Sequence, residues 1–179
     1  MHTKLLLSSM TVLMGLTFSI HSVSAHGFSP QVAPLSDSPS AEVHHPSSQP
    51  SSASSNSFTA IQTILSQHMG QPYLWGATGP TAFDCSGLTQ YTFKKALNLN
   101  LNRTAEQQFN QFRHVSHDQV RPGDLIFFSY NHGQSIDHVG IIVEGQNMMV
   151  DAQNRGVIRE CYLVPWWRGY IAGYARVIE

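Results

Sequence analysis

Apolar residues in the middle of the chain recur at intervals of three and four, which predicts three amphipathic helices. They cover about residues 58–69, with Ser57 as the cap, about 84–96, and 105 to about 112. The second helix would carry Cys85, Leu88 and Tyr91 on one face. The third begins with a capping box, because Thr104 is followed three residues later by Gln107.

After the third helix, the pattern changes to short extended runs that predict strands. Leu125-Ile126-Phe127-Phe128 is apolar throughout and follows a turn-forming Pro-Gly-Asp sequence. Further strands are predicted near residues 138–143, 147–151, 156–163 and 171–178. Glu144-Gly145-Gln146 would turn the chain back between two of them as a hairpin. Three helices followed by about five short strands predict an α+β domain with the helices packed on an antiparallel sheet.

The N-terminal residues 1–25 have the pattern of an export signal. A basic residue precedes an apolar run, and Val23-Ser24-Ala25 supplies the small residues that predict cleavage before His26. The run is shorter than the ~20 residues of a membrane helix, although an uncleaved anchor is the alternative. Residues 26–56 are rich in Ser, Pro and His, which predicts a disordered tether. The folded domain is therefore expected to span residues 57–179.

Composition and charge exclude several classes of partner. The net charge is −1 and the Lys and Arg residues are scattered, so nothing suggests a surface for nucleic acid. His26, His44 and His45 lie in the predicted tether without a further ligand at the usual spacing, so we predict no metal and no cofactor. We expect an exported monomer, periplasmic or else extracellular, with no stable membrane anchor once the signal is cleaved.

Cys85 is the first candidate for chemistry, because it lies where a Gly- and Pro-rich segment changes into the second helix. Unpaired N–H groups and the positive end of the helix dipole favour the thiolate there, which is the reactive form of cysteine. The alternative in an exported protein is a disulfide with Cys161. Cys161, however, lies in an alternating strand, where a small buried cysteine is ordinary.

A cysteine nucleophile needs a base, and His138 is the best candidate among the ten histidines. It begins a strongly apolar segment, where a rigid strand would hold the ring, although a buried structural histidine is the alternative. The hairpin would bring Asp151 beside it to accept from Nδ1–H and orient the ring. Gln153 and Asn154 are rival candidates, and Asp151 could instead be a strand-end turn residue. The combination predicts a thiol hydrolase.

With these residues, the domain resembles the NlpC/P60 family of bacterial cell-wall cysteine peptidases over most of residues 57–179. Five motifs follow the order of the family: Gln71-Pro72-Tyr73-Leu74-Trp75-Gly76, Phe83-Asp84-Cys85-Ser86-Gly87-Leu88, Asn102-Arg103-Thr104-Ala105-Glu106-Gln107, Arg121-Pro122-Gly123-Asp124-Leu125-Ile126-Phe127-Phe128 and His138-Val139-Gly140-Ile141. Each motif alone would be weak evidence, whereas five in the correct order are strong.

The resemblance implies a papain-like core with Cys85 as the nucleophile and His138 as the base. It also implies that Tyr73, Asp84 and Ser86 line the cleft in which the family recognises the stem peptide of peptidoglycan. The usual reaction of the family is hydrolysis of an amide within that peptide, typically at a γ-D-glutamyl–diamino acid bond.

Two positions depart from the family pattern. Ala77 stands where a second glycine is frequent, and Asp151 stands where histidine, or sometimes asparagine or glutamine, is usual. Since aspartate can accept the same hydrogen bond, we expect a peptidoglycan-hydrolysing cysteine endopeptidase with a Cys85–His138–Asp151 site. The alternatives are another thiol amidase or acyl-transferring enzyme, a crosslink-cutting endopeptidase, a toxin delivered to competitors, or a domain that only binds peptidoglycan.

Overall fold

Residues 52–143 and 147–179 are described by a computed structural model of the protein. The predicted signal (1–25), the tether up to residue 51 and the hairpin turn 144–146 lie outside the described residues. Within the described ranges, no helix is both long enough and apolar enough to cross a membrane.

The first helix, α1, spans Ser52–His68 and begins earlier than the sequence predicts. Ser57 does not cap it, because its hydroxyl donates to the carbonyl of Ala53 at 3.0 Å inside the helix. Thr59 forms the same bond to the carbonyl four residues before it, which lets a Ser- and Thr-rich segment continue as a helix. Residues 52–56, which the sequence assigned to the tether, are therefore part of α1.

The second and third helices begin within one residue of their predicted starts. Helix α2 spans Cys85–Leu97 with Asp84 as N-cap, and α3 spans Ala105–Gln111. Thr104 caps α3, and both hydrogen bonds of the predicted capping box with Gln107 are present. Because these side chains satisfy N–H groups of the first turn, the start of each helix is encoded locally.

A six-stranded antiparallel sheet has the strand order β1-β6-β2-β3-β4-β5. Its strands are β1 Arg113–Val115, β2 Leu125–Phe128, β3 His138–Val143, β4 Met148–Gln153, β5 Gly156–Cys161 and β6 Ile171–Arg176. The strands from β2 onward confirm the prediction, and the α+β class is confirmed with them. The sequence does not predict β1, whose first two residues are exposed and which forms by pairing with β6.

Apolar side chains cover both faces of the sheet, which explains why β2 is apolar without interruption. Leu125 and Phe127 belong to a core that includes residues of α1 and α2. Ile126 and Phe128 point to the opposite face and belong to a second cluster that includes Trp167. Because neither face of β2 is open to water, its residues do not alternate between polar and apolar.

Two further contacts decide where the site forms. A short helix, α4 (Pro165–Arg168), lies between β5 and β6 in the chain and brings Trp167 into the second cluster. On the other side, α2 packs against β3 and β4. The beginning of α2 therefore lies near the strands that carry His138 and Asp151.

Candidate active site

Cys85 is the first residue of α2, and its side chain is buried at 7% exposure. It is a free thiol, as is the half-buried Cys161 on β5, so the alternative of a disulfide between them is wrong. Backbone N–H groups of the first helical turn lie around this position. They are suited to binding an oxyanion that develops on a carbonyl attacked by the thiol.

The loop before α2 is fastened to the helix start by Asp84. Its Oδ1 accepts from the N–H of Gly87 at 2.6 Å, and its Oδ2 accepts from the N–H of Gly76 at 2.9 Å. The N–H of Asp84 itself donates to the carbonyl of Ala77 at 2.9 Å. A Cβ at Gly87 would lie 2.1 Å from that carbonyl oxygen, so this close approach requires glycine.

Arg103 contributes a positive charge beside Asp84, although no pattern in the sequence assigned it a function. Its Nη1 donates to Asp84 Oδ1 at 3.1 Å and to Ser86 Oγ at 3.0 Å, and its Nη2 lies 2.5 Å from Asp84 Oδ2. The hydrogen bond to Asp84 raises the pKa of the guanidinium. The position of Arg103 in a family motif was the available signal.

A buried glutamine holds the Arg103 loop against α2. Gln108 donates from Nε2 to the carbonyls of Ser86 at 3.0 Å and Asn102 at 2.8 Å. Its Oε1 accepts from the hydroxyl of Thr89 at 2.7 Å. Both N–H donors of the Gln108 amide and its oxygen are thus hydrogen-bonded, and these bonds hold the segment that presents Arg103 against α2.

His138 and Asp151 are brought together as predicted, but through the other ring nitrogen. Nε2 of His138 lies 2.7 Å from Oδ2 of Asp151, whereas Nδ1 was the nitrogen predicted to face the carboxylate. The antiparallel pairing of Ile141 with Val150 in the β3–β4 hairpin explains the proximity. The two alternative candidates for orienting the ring have other surroundings: Gln153 donates to Glu160, and Asn154 is exposed in a turn. Nδ1 is left as the ring nitrogen available to the thiol.

The charge state of the imidazole depends on both neighbours. Burial would lower the pKa of His138, but hydrogen bonds to Asp151 and Cys85 outweigh burial and raise it to about 9. Burial also raises the pKa of Asp151, partly offset by His138 and increased further by Glu160. A histidine held between a thiol and a carboxyl group is arranged to exchange a proton with the thiol.

An open cleft of about 580 Å³ leads to the thiol. The residues that line it come from the loop before α2, the helix start, the Arg103 segment and the loop after β2: Trp75, Gly76, Asp84, Cys85, Ser86, Arg103, Thr104, Ala105, Tyr130, Ile136 and Asp137. Asp84 and Ser86 therefore lie where the resemblance implies. The wall after β2 is braced by Asp137, whose carboxylate accepts from the N–H of Tyr130 and the hydroxyl of Ser135, both at 2.7 Å.

Tyr73, in the loop before α2, is not among the residues that line this cleft, but it lies close enough for Cys85 to affect its hydroxyl. Its backbone forms a parallel bridge with Phe83, two residues before Cys85. Burial raises the pKa of its hydroxyl, and the negative charges of Cys85 and Asp84 raise it further. Tyr73 therefore carries a neutral hydroxyl that can donate a hydrogen bond near the reacting groups. Among the described residues, no three His, Cys, Asp or Glu side chains are grouped to hold a metal ion.

The sequence profile of the NlpC/P60 family matches residues 70–176. These residues include the loop, the Cys85 helix start, the Arg103 segment and both strands of the His138–Asp151 pair. The protein belongs to the NlpC/P60 family.

Similar proteins and a solved structure agree with this membership. The chain is 41% identical over 139 residues to a Listeria grayi protein named "Probable endopeptidase p60", covering 78% of this chain and 26% of that protein. It is 34% identical over 131 residues to the "Bifunctional muramidase/DL-endopeptidase CwlT" of Bacillus subtilis, covering 72% of this chain and 39% of that protein. A crystal structure of a lipoprotein-like NLP/P60 family protein from Staphylococcus aureus matches with a TM-score of 0.62 at 33% identity, over 69% of this chain and 42% of that one.

The chain spans about a quarter of the length of the Listeria grayi relative. The similarity therefore concerns the domain that carries the site, and it does not extend to the remainder of that longer protein.

Proposed function

We propose that this protein is a cysteine endopeptidase that hydrolyses an amide bond in the stem peptide of peptidoglycan, at the γ-D-glutamyl–diamino acid bond. The observation that carries the proposal is the array of Cys85, His138 and Asp151 at an open cleft. The names of the two relatives, an endopeptidase and a DL-endopeptidase, support the class of reaction.

The reaction begins with proton transfer from Cys85 to Nδ1 of His138, while Oδ2 of Asp151 holds the opposite nitrogen. The thiolate attacks the carbonyl carbon of the scissile amide, and the negative charge on the oxygen is stabilised by N–H groups at the start of α2. The imidazolium then gives its proton to the leaving amine, which leaves a thioester on Cys85. Water, deprotonated by His138, hydrolyses the thioester and restores the thiol.

The charges in the cleft suit a stem peptide. A γ-linked D-glutamyl residue keeps its α-carboxylate free, and a carboxylate is the natural partner of a guanidinium. The side chain of Arg103 is 38% exposed at the cleft and can accept such a partner while it remains bonded to Asp84. The exposed indole of Trp75 adds an apolar face at the entrance.

The cellular location of the protein is inferred from its proposed substrate. We propose that residues 1–25 direct export and that the domain acts outside the cytoplasm, in the periplasm or beyond it, as a monomer. N-terminal sequencing of the mature protein tests the export step, with His26 as the expected first residue. Retention of Met1 would contradict cleavage.

The central experiment is digestion of defined muropeptides with the products identified by mass. Cys85→Ala should abolish release of fragments, because the thiol that attacks the amide is missing. Cys161→Ala is the matched control, since it removes the other free thiol and should retain activity. Undiminished release by Cys85→Ala would overturn the proposal, and products cut at a different bond would correct its substrate.

A further inference from the structure

The carboxyl group of Asp151 has one oxygen that the pairing with His138 does not use. Oδ2 accepts from the imidazole at 2.7 Å. Oδ1 is buried, and none of the described residues donates a hydrogen bond to it. A buried carboxylate oxygen without a donor is costly, because it has given up its hydrogen bonds to water. Oδ1 therefore needs a hydrogen-bond partner, and the neighbour of Asp151 on the adjacent strand is the candidate.

That neighbour is Glu160 on β5. In the register of the β4–β5 pair, Asp151 is opposite Ile158 and Met149 is opposite Glu160. Asp151 and Glu160 are thus diagonal neighbours on one face of the sheet. A hydrogen bond and the charge of Glu160 both contribute to the raised pKa of Asp151, after the larger effect of burial. Two carboxyl groups can form such a bond only if one of them holds a proton.

Glu160 accepts hydrogen bonds from two other side chains. Gln153 donates from Nε2 to Oε1, and Arg155 donates from Nη2 to Oε2 at 2.6 Å. The charged groups that face Glu160 in the described part of the chain are Arg155 from the β4–β5 turn and Asp151 from β4, with His138 of β3 beyond it. Asp151 is completely buried, whereas the side chain of Glu160 is 17% exposed. Burial therefore favours the proton on Asp151.

We propose that Glu160 is a positioning residue of the active site, which accepts a hydrogen bond from a proton on Oδ1 of Asp151. The pair then holds one negative charge, centred on Glu160 beside Arg155. Asp151 presents Oδ2 to His138 as the acceptor that fixes the ring, and the shared proton reduces the negative charge placed against the imidazole. Glu160 thus sets the upper pH limit of the Cys85–His138 ion pair. The inference rests on the proposed Cys85–His138 chemistry.

The variant Glu160→Gln tests this inference. The new amide can donate to Oδ1 of Asp151, so that Asp151 becomes ionised and its full charge acts on His138. The imidazolium should then persist to higher pH. The upper pH limit of the Cys85–His138 ion pair, at which the ring loses its proton, should move up by roughly one pH unit.

The measurement is the rate of Cys85 alkylation by iodoacetamide as a function of pH, followed by peptide mass spectrometry to separate Cys85 from Cys161. Glu179→Gln is the matched control, because it removes the same charge from a surface pair with Arg113. Its profile should coincide with that of the unmodified protein. A Glu160→Gln profile that also coincides would overturn the inference, since a merely structural Glu160 would leave the ion pair unchanged.

A second measurement needs no variant, and so covers the case in which Glu160→Gln does not fold. Carboxyl ¹³C shifts of the unmodified chain should show one of the two groups still protonated well above the ordinary pKa of Asp or Glu, about 4. Ordinary titration of both groups would refute the shared proton. Because neither measurement uses a substrate, failure to cleave muropeptides would count against the proposed function and leave this test intact.

Discussion

The indole of Trp167 is stacked on the imidazole of His138, with the ring centroids 5.2 Å apart and the planes inclined by 17°. Trp167 is itself buried, so it covers one face of the ring and keeps water from the bond between His138 and Asp151. A hydrogen bond shielded in this way is stronger than one in water. The orientation of the imidazole thus depends on a residue of the short helix α4.

Trp167→Ala should lower the free energy of unfolding by about 3–5 kcal/mol, because it leaves a cavity in the second core. It should also slow alkylation of Cys85, since His138 is no longer held. Trp166→Ala is the control: its indole is 64% exposed and contacts Tyr170 edge-on, so a loss of about 1 kcal/mol or less is expected. Urea unfolding and alkylation rates measure both effects. Equal results for the two variants would contradict the shielding function.

Asp151 should tolerate asparagine better than alanine. An asparagine can accept from Nε2 of His138 and donate its amide to Glu160, whereas alanine leaves the imidazole nitrogen without a partner in a buried place. We expect Asp151→Ala to reduce kcat/KM for muropeptides by about a hundredfold or more, and Asp151→Asn by clearly less. Asn154→Ala, in the exposed turn, should be as active as the unmodified protein. If Asp151→Ala retained the activity of Asp151→Asn, the hydrogen bond would not matter.

The raised pKa of His138 predicts a loss of activity at high pH. Protonation of the leaving amine needs the imidazolium, so kcat/KM should decline as pH rises through about 9. The pH profile of muropeptide cleavage measures this limit. A decline centred at the ordinary histidine value of 6.5 would show that Asp151 and Cys85 do not stabilise the charged ring.

The same shift links folding to pH. Because the folded pKa of His138 lies above the unfolded value of 6.5, the stabilisation is complete below 6.5 and disappears as pH rises towards 9. Urea unfolding across this interval should therefore show a decreasing free energy of unfolding. His138→Asn should remove this part of the slope, while His117→Asn, at an exposed position, should keep it.

Gly87→Ala tests the close contact between the start of α2 and the loop that contains Ala77. The added Cβ would meet the carbonyl oxygen of Ala77 at 2.1 Å, so the loop must move away from the helix start. We expect a loss of about 1–3 kcal/mol in stability and slower alkylation of Cys85. Gly169→Ala is the control, because its φ is −70° and its nearest contact is 3.8 Å away. Similar unfolding midpoints for both variants would contradict the close approach.

Local signals account for the parts of the fold that the sequence predicts well. Asp84 and Thr104 are helix caps whose capping bonds reach only three residues along the chain, and β2 to β6 follow from short apolar runs between turns. The hairpin geometry alone brings Asp151 beside His138. The start of α1 was beyond such reasoning, because a Ser-rich segment without strong apolar spacing is also compatible with a disordered chain.

The sequence by itself determined the fold class, the thiol at a helix start, and the histidine and aspartate on adjacent strands, since periodicity and caps act over short distances. Tertiary structure decided that Nε2 faces Asp151, that Trp167 covers the ring, that Arg103 bonds Asp84, and that Glu160 lies diagonally across from Asp151 on β5. These contacts join segments that are distant in the chain or depend on how side chains pack. No local pattern encodes them, because each requires the sheet, α2 and α4 to be assembled first.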